Sequence, residues 1–120
     1  MKIYTSANVT IYLVGSGGMG LTHPCDSHVY ILQSAGECAM IDAGSGVMPE
    51  LLAQRILEDN IDPASIKTLI LTHSHWDHGR GAAWVKRLTG AARAVHQDGV
   101  KTMEETRWPT SMIVSACRCP

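Results

Sequence analysis

What this chain lacks narrows it first. No run of lysines and arginines stands out, and ten basic against eleven acidic side chains leave a formal net charge of −1. A nucleic-acid footprint needs basic residues gathered on one face, so no nucleic-acid partner is expected. No apolar stretch approaches the roughly 20 residues that a membrane-crossing helix needs. The opening residues, Met1-Lys2-Ile3-Tyr4-Thr5-Ser6, lack the continuous apolar region of a secretory leader. The expectation is a soluble, cytoplasmic chain with no membrane contact. Cysteine is sparse, and in that compartment Cys25, Cys38, Cys117 and Cys119 are expected as reduced thiols. A disulfide framework belongs instead to small secreted chains. Cys117 and Cys119 offer two thiolates to a soft metal, but no second pair stands at partner spacing. Repeats and low-complexity segments are absent too.

Periodicity supplies the organisation. Asn8 to Val14 predicts a strand, because Val9, Ile11 and Leu13 alternate with Asn8, Thr10 and Tyr12. A glycine-rich loop follows to about Ser27. His28 to Gln33 and Cys38 to Asp42 are two strands whose short connector, Ser34-Ala35-Gly36-Glu37, suggests a hairpin. A first helix is expected from Pro49 to Asp59, with Leu52/Ile56 and Ala53/Leu57 forming an apolar face. Asn60 and Asp62-Pro63 stop it. Lys67 to Thr72 is a strand, Gly79 to Leu88 a second helix ended by Thr89-Gly90, and Ala92 to Val95 a short strand. Asp98 is placed to cap a last helix to about Arg107. This order is that of an α/β domain with a largely buried sheet.

Gly15-Ser16-Gly17-Gly18-Met19-Gly20 satisfies the G-x-G-x-x-G pattern of dinucleotide-binding folds, and Asp42 lies near where a ribose-binding acid would sit. Such folds need a helix that starts in the loop, so that its N-terminus faces the pyrophosphate. Leu21-Thr22-His23-Pro24-Cys25-Asp26 carries a proline and no helical period, and the strand at His28 follows too soon for a crossover helix. The nucleotide reading is therefore disfavoured. His23 and His28 are read as exposed loop residues, and Trp76 and Trp84 as packing residues.

The chemistry is concentrated in Thr72-His73-Ser74-His75-Trp76-Asp77-His78-Gly79, directly after the apolar Leu69-Ile70-Leu71. On an extended segment residues two apart share a face, so His73 and His75 can reach one ion together, with Asp77 on the same side. A helical bend at Gly79 swings His78 round to a position the strand itself does not offer. Imidazole and carboxylate together suit zinc, and also iron or manganese. A polar turn that is merely rich in histidine is a poor account of three histidines and one aspartate so closely spaced.

The pattern His73-x-His75-x-Asp77-His78 resembles the signature of the metallo-β-lactamase superfamily. Its surroundings agree. Asp26 to Leu32 resembles the family's second strand, Met40-Ile41-Asp42-Ala43-Gly44 its Asp-x-Gly turn, and Ile66 to His73 the strand that delivers the ligands. Gly81-Ala82-Ala83 is similar to the small-residue start of the next helix, and the resemblance runs from about Asn8 to about Asp98. It implies an α/β fold, one half of an αββα sandwich, with helices on one face of a mixed sheet. It also implies two zinc ions in a complete member, with iron or manganese as alternatives. His73 and His75 then belong to the first ion, Asp77 and His78 to the second, and Asp77 is also the catalytic residue that orients the attacking water. Asp42 resembles the family aspartate that braces the metal loop.

The implied activity is hydrolysis of a small-molecule thioester, lactone or related ester. Having His78 directly after Asp77 favours that branch over β-lactamases without a histidine there. The alternatives are a mononuclear iron oxygenase using His73 and His75, or a non-catalytic remnant. A chain of 120 residues has room for one domain and one half of the sandwich. Residues 1–120 are therefore expected to be a single, truncated domain, with 107–120 unassigned. His96 is the only histidine after the motif, and it is read as a strand residue and not a ligand. The uncovered sheet face is an expected site of self-association.

Overall fold

Side-chain alternation decides which face of the sheet is buried. In this computed structural model, residues 1–100 are described. The strands are β1 Lys2–Thr5, β2 Thr10–Gly15, β3 Val29–Ser34, β4 Glu37–Ile41, β5 Ile66–Ile70 and β6 Ala92–Ala94. They form a single sheet in the order β1-β2-β3-β4-β5-β6, antiparallel up to β4 and parallel from β4 to β6. The mixed sheet matches the expectation. The hairpin does too: Ser34 pairs with Glu37, and Ala35 and Gly36 both take positive φ, at 50° and 80°. Two successive left-handed residues make the twist that joins neighbouring strands most directly, and glycine at the second carries no Cβ penalty.

One cross-strand row, Tyr12-Ile31-Met40-Leu69, faces the core, joined by Val14, Val29, Cys38 and Ile66. Helix α1, Pro49–Glu58, adds Leu52 and Ile56 to this cluster, and α3, Ala82–Thr89, adds Ala82 and Val85. Both helices therefore cover the same face. Each large aliphatic side chain buried there contributes roughly 1.5–3 kcal/mol. Pro49 opens α1 where its missing N–H leaves nothing unpaired, and Gly90 closes α3 at φ 73°. Trp84 packs against the cluster, as a packing residue should.

The opposite face departs from a largely buried sheet. The row Tyr4-Ile11-Leu32-Ala39-Thr68-Ala92 and the row Leu13-Tyr30-Ile41-Ile70-Ala94 cross it by register. Leu13 is buried, the middle of both rows is half-buried, and Tyr4 and Ile70 are exposed. No described helix covers this face.

Boundaries move by a residue or two, and two elements were not foreseen: β1, and a short 3-10 turn at Pro63–Ser65 capped by the Asp62 carboxylate. The second helix is two pieces, α2 Trp76–Gly79 and α3, broken around Arg80 and Gly81. Residues 97–100 are helical, and the remainder of the helix expected to Arg107 lies outside the described residues. So do Cys117 and Cys119. Cys38 is a free, buried thiol, but Cys25 is disulfide-bonded, so the expectation of four reduced thiols fails.

Candidate metal centre

The site grows from the way β5 ends. The strand stops at Ile70, and Leu71 still donates its N–H to the Ala94 carbonyl at 2.9 Å. The backbone then leaves the sheet, and His75, extended at φ −61° and ψ 143°, becomes the N-cap of α2. Its carbonyl accepts from Gly79 N–H at 2.9 Å and from His78 N–H at 3.1 Å. This corrects one expectation. Asp77 does not continue a strand face shared with His73 and His75; it sits in the first turn of α2. The reason is local: the His75 carbonyl finds helical donors at His78 and Gly79 before another strand pairing is available.

The turn does bring the imidazoles together. Ring centroids of His73 and His75 are 4.6 Å apart, and those of His73 and His78 are 4.0 Å apart. His78 Nε2 stands 3.6 Å from Asp77 Oδ2. That is too long for a good hydrogen bond and close to the roughly 3.3 Å that separates two ligands on one tetrahedral zinc. His73 and His75 are exposed, and the side chains of Asp77 and His78 are 37% and 25% exposed.

Asp42 holds this arrangement from below. Its side chain is 5% exposed, and its backbone takes φ 63°, a left-handed conformation that aspartate tolerates better than most residues. Oδ1 accepts the Thr72 N–H at 2.8 Å. Oδ2 lies 2.8 Å from Thr72 Oγ1 and 2.8 Å from His78 Nδ1. With Nδ1 engaged, His78 keeps Nε2 free on the side of Asp77, and a carboxylate behind the imidazole is the usual partner of a ligating histidine. The donor set, imidazole and carboxylate, thus fits zinc, iron or manganese. Its completeness is another matter. Among the described residues no three His, Cys, Asp or Glu side chains converge to hold one ion.

Other elements position the loop. Ala43 donates its N–H to the His78 carbonyl at 2.8 Å, and Gly81 donates to the Gly44 carbonyl at 3.1 Å. A Cβ on Gly81 would fall far inside contact distance of the Ala43 carbonyl oxygen. Gly81→Ala is therefore expected to lower stability by about 1–3 kcal/mol, the range for overpacking, and to loosen α2. Thermal unfolding checks this, and an unchanged midpoint would refute the close approach. Asp26 braces the same loop, its Oδ1 accepting the Ser45 N–H at 2.8 Å and the Ser45 hydroxyl. Ser27 donates its N–H to the Asp77 carbonyl at 3.3 Å, and its hydroxyl is buried without a hydrogen-bond partner among the described residues. Asp26 and Ser27 stood at the start of the segment that resembles the family's second strand, but nothing in their residue types marked either as a brace for this loop.

The remaining candidates separate cleanly. His96 is 71% exposed and turns to Asp98, its Nδ1 being 3.5 Å from Asp98 Oδ2. His28 is exposed and reaches Ser16 Oγ at 3.1 Å, while His23 Nδ1 accepts the Cys25 N–H at 3.1 Å. The glycine-rich segment contains turns and no helix, and Gly17 N–H returns to the Asp26 carbonyl at 3.0 Å. The helix N-terminus that a pyrophosphate needs is missing from that loop.

The sequence model of the metallo-beta-lactamase superfamily matches residues 22–112. A metal-dependent hydrolase of Chloroflexus aurantiacus is 31% identical over 110 residues, which are 89% of this chain and 39% of that protein. Among solved structures, a Cronobacter sakazakii metallo-beta-lactamase variant superposes with a TM-score of 0.68 at 20% identity, covering 85% of this chain and 36% of that one. The metallo-beta-lactamase SMB-1 gives a TM-score of 0.68 at 25% identity, over 87% of this chain and 37% of that one. The chain thus spans less than half the length of the relatives it matches. Since the match takes in most of the chain and the architecture is shared, this chain belongs to the metallo-beta-lactamase superfamily.

Proposed function

We propose that this chain supplies the His-x-His-x-Asp-His part of a metal-dependent hydrolase acting on a small-molecule thioester, lactone or related ester. The observation that carries the reading is the cluster itself. The His73 ring stands 4.6 Å from that of His75 and 4.0 Å from that of His78, centroid to centroid. One of them is oriented by the buried Asp42 and faces Asp77. In this reading His73 and His75 hold one zinc ion and Asp77 and His78 hold a second, with iron or manganese as substitutes. Such ions acidify a water molecule and polarise the scissile bond. The Asp77 carboxylate accepts a hydrogen bond from the attacking water and aims it, and Asp42 keeps the His78 Nε2 lone pair turned toward the site.

Zinc titration of single variants tests the assignment. His73→Ala and His75→Ala should each abolish binding of the ion assigned to that pair, and His96→Ala should leave zinc binding intact. Equal losses for His96→Ala and His73→Ala would overturn it. Elemental analysis of the purified chain, with a spectrum for ferrous or ferric iron, separates the hydrolase reading from an iron oxygenase using His73 and His75 alone.

The half-exposed apolar sheet face adds a solution property to this reading. An open face crossed by Ile11, Leu32, Tyr30, Ile41 and Ile70 favours self-association. Sedimentation should therefore report a mass that rises with concentration, and a strictly monomeric chain with a sharp, concentration-independent melt would count against it.

A further inference from the structure

We infer that Thr72 is a positioning residue that sets the tautomer of His73, carrying the influence of Asp42 one residue further than its direct contact with His78. The Thr72 hydroxyl has a single proton and stands between two groups: Asp42 Oδ2 at 2.8 Å, with Oδ1 at 3.1 Å, and His73 Nδ1 at 2.8 Å. A carboxylate only accepts. If the hydroxyl gave its proton to His73, its own lone pairs would face Asp42 Oδ2 with nothing between them. The proton therefore goes to Asp42, and the hydroxyl oxygen must accept from His73. His73 Nδ1 carries hydrogen and Nε2 carries the lone pair.

The same carboxylate dictates the same choice at His78, whose Nδ1 lies 2.8 Å from Asp42 Oδ2. One side chain with little exposure thus decides the protonated nitrogen on two rings. It acts directly on His78 and through one hydroxyl on His73, and those rings sit 4.0 Å apart. Both rings then present Nε2 as the donor atom. The tautomer itself does not depend on any bound ion; its consequence for metal affinity rests on the ligand roles proposed above.

The test uses the full 120-residue chain, labelled with ¹⁵N, freed of metal with a chelator and held near pH 8.5, about two units above the ordinary imidazole pKa. Long-range ¹H–¹⁵N correlations read which ring nitrogen carries hydrogen. His73 is expected as the Nδ1–H form in the wild type and in Thr72→Ser. In Thr72→Val, which keeps the shape and the backbone N–H but loses the hydroxyl, it should shift to Nε2–H. His78 should stay Nδ1–H in all three, showing that Asp42 remains in place. A wild-type His73 in the Nε2–H form, or a His73 pattern unchanged in Thr72→Val, overturns the inference. Zinc titration is the second readout. Thr72→Val should weaken binding about 10–100-fold, the usual cost of losing a group that orients a ligand, and Thr72→Ser should restore most of it. A tautomer shift with unchanged zinc affinity upholds the positioning role and overturns His73 as a ligand, so the two ideas fail separately.

Discussion

Asp42→Ala should cost this chain more stability than any other single change in the motif region. The wild-type carboxylate accepts the Thr72 N–H, the Thr72 hydroxyl and His78 Nδ1, and Asp42 is 3% exposed. Alanine takes the one buried acceptor away from those donors, at about 1–3 kcal/mol for a group that stays unpaired and less for the exposed Thr72 hydroxyl, which water reaches. It must also hold φ 63°, which alanine adopts less readily than aspartate. A total near 3 kcal/mol lowers the melting temperature by on the order of 15 °C in a domain of this size. Zinc affinity should fall with it. Two companions divide the effect. Asp42→Gly removes the acceptors but relieves the backbone, and Asp42→Asn keeps the shape and one acceptor oxygen. The expected order of melting temperature is wild type, Asn, Gly, Ala. A melt of Asp42→Ala within about 2 °C of wild type would mean that the carboxylate does not hold the loop.

Much of this site could be read from residues alone, and the parts that could not have physical reasons. Alternation of Val9, Ile11 and Leu13 revealed β2 as a strand, but the residues that reach the core there are Tyr12 and Val14, because both faces of that strand carry apolar side chains. Ala35-Gly36 exposed the hairpin, because few residue pairs accept two positive φ angles. In β1 only Ile3 is aliphatic and every residue is exposed, so nothing in its pattern distinguished it from a terminal tail. The proposed donors stood out by residue type, but the geometry assumed for them did not follow. A strand face accounts for His73 and His75, whereas the helical turn at Trp76–Gly79 follows from backbone hydrogen bonding that side-chain types do not reveal. Asp42 was recognisable as a brace. Thr72 was invisible as a partner, because its role depends on 2.8 Å gaps both to its neighbour His73 and to Asp42, which lies thirty residues earlier.

That same geometry sets what the chain should do as a catalyst. Assayed by itself, the 120-residue chain is expected to turn over thioester, lactone, β-lactam and phosphodiester substrates slowly, with zinc, manganese or iron in excess. Catalytic zinc generally takes three protein ligands and keeps one position for water. Among the described residues no three donors converge on one point. In the proposed roles each ion draws on two side chains, His73 with His75 and Asp77 with His78. An ion held by two donors is bound more weakly and is also free to wander, and about 1 Å of misplacement at a reacting centre can cost ~10²-fold in rate. Against a median enzyme turnover of about 10 s⁻¹, the expectation is below roughly 0.1 s⁻¹. Concentration dependence adds a second arm: if two copies complete one site, specific activity should climb with protein concentration, together with the sedimenting mass. Turnover on the order of 1 s⁻¹ or faster, independent of protein concentration and abolished by Asp77→Ala, would sink the expectation. It would require a third donor for each ion to come from within this one chain.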